Sequence, residues 1–264
     1  MSTLTTILIP YNFSESASTA LEYGLSFAEE GPRSQIVLLY IADESLDPDK
    51  RSELDANFKK IKEKTISTTS KVDLSYHVTI GNMVDEILMA KSRFNTDLII
   101  MGTSGTLGSD EGGNTNTQKL VQTADCPVLV IPKSLESFDI NIITLALDKG
   151  AIEDPEILNV LLAIARRHEA EIHVLTIFEE GDSSYLKEHE NENILKYYFE
   201  KYYTHNSSII SDNIADSIVQ YDQKNAIDLL AILPRNHAKK GPPSKGKLTQ
   251  FLTRRTDIPL LVID

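Results

Sequence analysis

The sequence is short of cysteine, of basic residues and of long apolar runs. Cys126 is the only cysteine among 264 residues, so the chain can form neither an internal disulfide nor a cysteine metal cluster. Lysine and arginine number 26 against 39 aspartates and glutamates, and the net charge of −13 argues against broad nucleic-acid binding. No run approaches the ~18 apolar residues of a membrane span. A reducing compartment fits these absences, and we expect a cytoplasmic location.

Familiar catalytic motifs are also missing. The chain has no Gly-x-Ser-x-Gly elbow, no His-Glu-x-x-His pair and no Gly-x-Gly-x-x-Gly loop, and its six histidines show no metal-ligand spacing. The first residues, Met-Ser-Thr-Leu-Thr-Thr, lack the basic and apolar stretches of a signal peptide. Cys126 begins an apolar run beside Pro127 and is expected to be an inert core thiol. We therefore predict no enzymatic activity and no metal centre.

A glycine-rich stretch, residues 101–118, is the most distinctive feature that the sequence does contain. Five of its twelve residues from Gly102 to Gly113 are glycines, and an apolar run, Asp97–Met101, precedes them. Glycine lets the backbone approach a ligand closely, and a loop of this kind between a strand and a helix start can hold phosphate through free N–H groups. A plain surface loop has the same composition, so both interpretations stay open on composition alone.

Apolar runs alternate with amphipathic stretches along the first half of the chain. This alternation predicts a parallel sheet with helices on both faces, in which ligands bind beyond the carboxyl ends of the strands. The turn Tyr11–Ser14, the segment Tyr40–Asp43 and the glycine-rich stretch all follow predicted strands, which favours a ligand-binding role for the stretch. The predicted strands cover residues 4–10, 35–41, 74–80, 97–101 and 128–131.

The second half repeats this plan. Gln35 corresponds to Glu171 at an offset of 136, and Pro127 corresponds to Pro259 at an offset of 132. Order, spacing and local sequence agree, so we predict two copies of one α/β unit of ~130 residues. The expected domains are 1–133 and 139–264. In the second copy we predict strands over residues 140–147, 171–178, 207–210, 228–233 and 260–263, and helices over 154–168, 184–206 and 213–224.

The chain resembles the universal stress protein family in its tandem two-domain form. The resemblance rests on Ile7–Ser14, the turn at Gly81, Ile100–Gly105, Ala124–Pro132 and the closing Asp257–Ile263. It implies two tandem flavodoxin-like or Rossmann-like domains (adenine nucleotide alpha hydrolase-like), each with a five-stranded parallel sheet. It also implies that the last strands of two units pair, here within one chain through residues 128–131 and 260–263, and a homodimer is a further expectation. Some family members bind ATP and others do not.

The resemblance implies a motif for the ATP-binding members of this family: Gly-x-x-Gly, then nine residues, then Gly-Ser or Gly-Thr. These members usually also carry Asp in the turn after the first strand. Gly102–Gly105 fits the first part. Only seven residues separate Gly105 from Gly113, Asn114 stands where Ser or Thr is expected, and Asn12 replaces the usual Asp. Thr115 and Thr117 could offer hydroxyl groups to phosphate from the start of the next helix.

The second copy departs from the pattern in the opposite way. Asp148 corresponds to Asn12 and restores the carboxylate, but Leu233-Pro-Arg-Asn-His237 replaces the glycine-rich loop. Proline removes one backbone N–H from that segment.

Three functional hypotheses follow. The first is a non-enzymatic stress-response protein with an adenine-nucleotide pocket for ATP, with magnesium if ATP binds, in the first unit. The second is an interaction or signalling scaffold that has lost nucleotide binding. The third, slow ATP hydrolysis, lacks a visible general base. The residues expected to line the pocket are Pro10, Asn12, Ile41, Gly102, Gly105, Gly113, Asn114 and Thr115.

Two other features could mark partner surfaces. A basic segment, residues 235–255, contains seven lysines and arginines and no acidic residue, and it is either a phosphate or acidic-partner site or a solvated loop. The predicted long helix of the second copy carries an aromatic set, of which at least half should cover the sheet while the rest could contact a partner. This set is Tyr197, Tyr198, Phe199, Tyr202 and Tyr203.

Overall fold

Runs rich in isoleucine, leucine and valine form the strands, and the neighbouring strands within each unit are parallel. The computed structural model describes residues 4–103, 115–135, 138–147, 152, 155–178, 189–233, 247–255 and 257–263. These residues divide into two units, with the change from the first to the second between Lys133 and Ser134.

The described part of the first unit is a five-stranded parallel sheet with helices. Its strand order is β3-β2-β1-β4-β5. Strands β1 and β4 in the interior of this sheet, and β5 at its end, are buried almost throughout, as expected for strands covered by helices on both faces. The elements are β1 (Thr6–Pro10), α1 (Glu15–Glu29), β2 (Ser34–Ala42), α2 (Pro48–Thr68), β3 (Val72–Ile80), α3 (Met83–Phe94), β4 (Leu98–Thr103), α4 (Asn116–Thr123) and β5 (Val128–Pro132).

Polar side chains begin the helices of this unit. The Ser14 hydroxyl accepts a hydrogen bond from the Ala17 N–H at 3.3 Å, and the Asp47 carboxylate accepts one from the Lys50 N–H at 2.8 Å. Such caps satisfy N–H groups that the helix itself leaves unpaired.

The described part of the second unit repeats this arrangement. Its strand order is β10-β9-β6-β7-β8, with β6 in the central place that β1 has in the first unit. The prediction of two tandem α/β units, each with a five-stranded parallel sheet, is confirmed. The elements are β6 (Ile142–Leu147), a 3-10 turn (Pro155–Leu158), α5 (Asn159–His168), β7 (Glu171–Phe178), α6 (His189–Phe199), a second 3-10 turn (Glu200–Tyr202), β8 (Tyr203–Ile210), α7 (Ile214–Asn225), β9 (Leu229–Ile232), α8 (Lys247–Arg255) and β10 (Leu260–Val262).

An aspartate at the start of a strand ties the sheet together in each unit. Asp97 Oδ2 accepts hydrogen bonds from the backbone N–H groups of Thr5 and Thr6, both at 2.9 Å. Asp228 Oδ2 accepts the corresponding bonds from Asn141 and Ile142 at 2.7 and 2.9 Å. The repeat therefore extends from the order of the elements to single side-chain contacts.

Several predicted boundaries were wrong. The long helix expected over residues 184–206 ends at Phe199, because Glu200 takes a left-handed backbone conformation with φ of +51° and the chain then pairs with β7 as strand β8 from Tyr203. β8 is thus twice as long as the strand predicted over 207–210. Strand β3 begins two residues earlier than predicted, at Val72, and Pro155–Leu158 is a 3-10 turn rather than α-helix.

The aromatic set of the second unit is therefore spread over three elements. Tyr203 belongs to a strand and Tyr202 to a 3-10 turn, so the expected helical faces do not exist. Phe199 is fully buried, and the Tyr198 hydroxyl donates to Asn159 Oδ1 at 2.5 Å. Tyr197, in contrast, is 87% exposed.

Some predictions concern residues outside the described ranges or relationships between the two units. Asp148 and residues 235–246 of the basic segment lie outside the described residues. Pairing between the last strands of the two units stays a prediction. Cys126 is a buried thiol, as expected. Within the described ranges, none of the helices combines the length and the apolar character needed to cross a membrane.

Candidate functional site

The order of the strands creates a crevice at the carboxyl ends of β1 and β4. These strands are neighbours, but the chain leaves β1 towards β2 on one side and β4 towards β5 on the other. A reversal of this kind is where open α/β sheets bind ligands. Pro10 ends β1, and Gly102 and Thr103 end β4. The structure therefore places two of the predicted pocket residues, Pro10 and Gly102, at the ends of adjacent strands.

Gly102 lies directly against the first turn of α1. A Cβ atom added there would be 2.0 Å from the carbonyl oxygen of Ser16 and 2.5 Å from its carbonyl carbon. Real Cβ contacts do not occur at such distances, so this approach requires glycine. The turn after β1 and the end of β4 are thereby in contact through α1, and Gly102 has a packing role whether or not a ligand binds.

Asn12 lies in the turn between β1 and α1 and is exposed. Its Oδ1 accepts a hydrogen bond from the Ser14 N–H at 3.1 Å, which is a local side-chain turn. The amide oxygen has a second lone pair for a ligand, but the side chain carries no charge. Among the described residues, no group of three histidine, cysteine, aspartate or glutamate side chains could hold a metal ion. The described residues thus provide no carboxylate-built magnesium site here.

Thr115 begins α4 through a reciprocal pair of hydrogen bonds. Its hydroxyl accepts from the Gln118 N–H at 3.2 Å, and its own N–H donates to Gln118 Oε1 at 3.0 Å. Thr115 is exposed at the helix start, but both of these groups are already used in the cap. Thr117 is buried, which argues against the expectation that its hydroxyl meets an external phosphate.

The remaining predicted pocket residues are distributed as follows. Ile41 lies near the end of β2, where it pairs with Thr79 of β3, and it is partly exposed. It is separated from β4 by the intervening strand β1. Gly105, Gly113 and Asn114 lie outside the described residues.

An aromatic cluster at the same edge of the sheet was missed by the sequence prediction. Phe13 lies 4.9 Å from Phe58, 5.1 Å from Tyr11 and 6.1 Å from Tyr40, measured between ring centroids. Phe58 also stacks on Tyr76 at 4.5 Å with an interplanar angle of 7°. The rings come from the β1–α1 turn, β2, α2 and β3, so no local sequence pattern could have predicted their contact. We call Tyr11, Phe13, Tyr40, Phe58 and Tyr76 the aromatic cluster.

Tyr76 contacts Phe58 of the aromatic cluster, and its hydroxyl is hydrogen-bonded. It donates to Asp55 Oδ1 at 3.1 Å. Burial raises the pKa of Tyr76, and the hydrogen bond to Asp55 raises it further. The phenol therefore stays neutral near neutral pH and gives Tyr76 a fixed position under Phe58.

A second missed feature is an ion pair beside the crevice. Lys133 follows β5, and its Nζ lies 2.7 Å from Glu15 Oε2 in the first turn of α1. Both side chains are exposed, so the pair adds little stability. Its relevance is electrostatic, because Lys133 offsets a carboxylate that would otherwise repel phosphate from the start of α1.

Comparison with known proteins places the first unit in a family. A model described as "Universal stress protein family" matches residues 3–132, and no curated protein matches the chain significantly. A universal stress protein from Archaeoglobus fulgidus DSM 4304 is similar over 98% of both chains, with a TM-score of 0.72 and 18% identity. A putative universal stress protein from Pseudomonas aeruginosa UCBPP-PA14 is similar over 98% of this chain and 93% of its own, with a TM-score of 0.66 and 16% identity.

The same fold occurs in another context. The cytoplasmic domain of a prokaryotic cation chloride cotransporter is similar over 100% of this chain and 96% of its own, with a TM-score of 0.61 and 13% identity. At such low identities these structures support the fold alone. The family match covers the first unit, and the second unit repeats its strand order and its aspartate contact. The chain therefore belongs to the universal stress protein family, in its tandem two-unit form.

Proposed function

We propose that this chain is a stress-response protein without enzymatic activity that binds an adenine nucleotide, ATP, at the carboxyl edge of its first unit. The observation that supports this most directly is the contact between the two halves of the crevice. The first turn of α1 and the end of β4 meet where Gly102 lies against Ser16. The glycine-rich stretch follows directly, so its free N–H groups would be available to phosphate at the place where such sheets bind nucleotides.

In this proposal the pocket residues divide by chemistry. Backbone N–H groups around Gly105, Gly113 and Asn114 would hold the phosphates, and the Thr115 end of α4 would favour their negative charge. Pro10 and Ile41 would give apolar contacts, and the Asn12 amide would hydrogen-bond the ribose. Magnesium would arrive with ATP and be held mainly by phosphate oxygens and water, since Asn12 replaces the expected carboxylate.

Thermal unfolding with and without ATP and magnesium tests the proposal. A ligand at ~100 times its Kd that binds only the native state adds about 2.7 kcal/mol, or roughly 5–10 °C in Tm for a chain of this size. Gly105→Val should remove the shift by blocking the loop. No shift at millimolar ATP would overturn the proposal, and a shift that survives Gly105→Val would move the site elsewhere.

The alternative is an interaction scaffold that has lost nucleotide binding. Local caps favour it, because the Asn12 oxygen and the Thr115 hydroxyl are already used by neighbouring backbone N–H groups. The exposed ring of Tyr197 would then be the first surface to examine. The thermal measurement separates the two functions, since a scaffold of this kind would give no ATP-dependent shift.

The assembly and location of the chain are also proposals. We expect the last strands of its two domains, 1–133 and 139–264, to pair with each other, which would bury two sheet edges. We expect a cytoplasmic protein, with a homodimer as a further form. Hydrogen exchange tests the pairing: the amide protons of residues 128–131 that point away from β4 should lose protection in a Leu261→Pro variant that still folds.

A further inference from the structure

Phe13 holds a backbone conformation that is unfavourable for a bulky residue. Its φ is +62°, in the left-handed region that glycine, asparagine and aspartate adopt far more readily. Residues in such conformations persist only where the surroundings compensate, and they concentrate at functional sites. The compensation visible here is aromatic, because the Phe13 ring contacts Tyr11, Tyr40 and Phe58.

The rings behind Phe13 form a rigid support. Phe58 is 1% exposed, and Tyr11 is 6% exposed. Phe58 in turn stacks face to face on Tyr76, whose hydroxyl is held by Asp55. Phe13 is the outermost of these rings and remains 38% exposed. The edge of the crevice thus presents one open aromatic ring on a packed aromatic layer, which is the arrangement that binds a flat ring ligand by stacking.

The position of Phe13 connects this ring with the glycine-rich end of the site. Phe13 immediately precedes Ser14, the cap of α1, and the first turn of α1 lies against Gly102. The aromatic cluster and the end of β4 therefore lie beside one helix start. A nucleotide carries a flat base at one end and phosphates at the other, so its base would lie on the aromatic side while its phosphates extend towards the end of β4.

We propose that Phe13 is the residue on which the purine base of the bound nucleotide stacks. This inference rests on the proposed function and adds to it a determinant of specificity. It makes the base, and not only the phosphates, necessary for tight binding. Adenosine should therefore bind through the same ring as ATP, whereas inorganic tripolyphosphate should not contact it.

The absence of tryptophan from the chain allows a direct test. Phe13→Trp introduces a single tryptophan whose fluorescence reports on stacking at this position. ATP and adenosine should quench it with saturation, and tripolyphosphate should leave it unchanged. Tyr197→Trp, at a ring that is 87% exposed on α6 of the second unit, is the control for collisional quenching and for absorption of light by the base.

Affinity measurements on the full chain complete the test. Phe13→Leu keeps apolar bulk but removes the aromatic face, and we expect ATP to bind about tenfold more weakly. Phe13→Tyr should bind as the wild type does. Circular dichroism and Tm values for all variants establish that they are folded, and the fluorescence of Phe13→Trp keeps the test valid if Phe13→Leu does not fold.

The outcomes separate the inference from the proposed function. If ATP binds the wild type but Phe13→Leu binds it equally well and Trp at position 13 is not quenched, the stacking inference is overturned and the nucleotide site stands. If tripolyphosphate competes fully with ATP while adenosine does not bind, the base is not recognised and the inference is again overturned. If the wild type binds no ATP by calorimetry, both fail together.

Discussion

Gly102 and Ser16 lie so close together that a Cβ atom at position 102 would be 2.0 Å from the Ser16 carbonyl oxygen. The glycine that opens the glycine-rich stretch is thus required by the packing of α1 against β4. Loss of nucleotide binding in a Gly102 variant would not identify a ligand contact, because the fold itself would change. Gly105 is the better position for a binding test.

We predict that Gly102→Ala destabilises the first unit by at least ~1–3 kcal/mol, the usual cost of overpacking, since both clashing atoms belong to the backbone. Urea unfolding measures the effect. Gly24→Ala is the matched control, because its Cβ would meet the Ile9 Cδ1 atom at 2.8 Å, the movable end of a side chain, while alanine favours the helix. Equal stability of Gly102→Ala and the wild type would contradict the close approach.

Asp97 and Asp228 should each be important for the stability of their own unit. Asp97→Ala leaves the N–H groups of Thr5 and Thr6 without their carboxylate acceptor, and we expect a cost of about 2–3 kcal/mol. Asp73→Ala, at an exposed position in β3, is the control for removing one negative charge. Hydrogen exchange should show faster exchange of the Thr5 and Thr6 amides first.

In the second unit, the corresponding variant Asp228→Ala should increase the hydrogen-exchange rates of the Asn141 and Ile142 amides. If Asp97→Ala instead leaves the exchange of Thr5 and Thr6 unchanged, these hydrogen bonds do not stabilise the start of β1.

Ala226 is a site where stability can be gained. It ends α7 with φ of +50°, the conformation that Asn95 takes at the end of α3 in the first unit. Glycine adopts this conformation without the steric cost of a Cβ, so Ala226→Gly should stabilise the chain by about 1 kcal/mol. Ala215→Gly, inside α7, should destabilise it by a similar amount. A loss of stability in Ala226→Gly would argue against the left-handed helix end.

Local patterns predicted most of the fold but not the details that depend on tertiary contacts. The apolar runs predicted the strands, and the offsets between similar segments predicted the tandem plan, because both can be recognised from the order of residues along the chain. The predicted end of α6 was wrong. The left-handed backbone at Glu200 and the pairing of the next residues with β7 override the helical pattern of their sequence. The packing role of Gly102 was also invisible, since a glycine in a phosphate-loop pattern first suggests a ligand.

The aromatic cluster shows the same limit for the site. Tyr11 and Phe13 stand close in sequence, but Phe58 and Tyr76 come from a helix and a strand far along the chain. Nothing in their spacing indicates that the four rings meet. The glycine-rich side of the crevice could be predicted from the sequence. The aromatic side could not, because it depends on how α2 packs over β3.

Asp222 should make the stability of the second unit depend on pH. It lies in α7 and is 6% exposed. Burial raises the pKa of Asp222 to about 7, with a smaller opposing effect of the Thr144 hydroxyl. Between pH 4 and 7 the unfolded chain loses this proton while the folded chain keeps it, so the free energy of unfolding falls as pH rises.

His168 acts in the opposite direction over much of this range. Burial lowers the pKa of His168 to about 4, and the Arg167 charge adds to the effect. Below pH 6.5 His168 therefore binds a proton in the unfolded chain but not in the folded chain. The free energy of unfolding falls as the pH falls towards 4. In the wild-type protein, Asp222 and His168 therefore change the free energy of unfolding in opposite directions between pH 4 and 6.5.

Asp222→Asn separates the two effects. It should change stability little at pH 4, which lies close to the unfolded-state pKa of Asp222, and increase it by up to ~4 kcal/mol at pH 8, where the folded protein no longer has to bury the charge. In this variant the free energy of unfolding measured in urea should rise with pH, because burial lowers the pKa values of His168, His173 and His77. Asp212→Asn, at an exposed position, controls for the loss of one negative charge. A gain that is equal at pH 4 and pH 8 would show that Asp222 does not titrate within the fold.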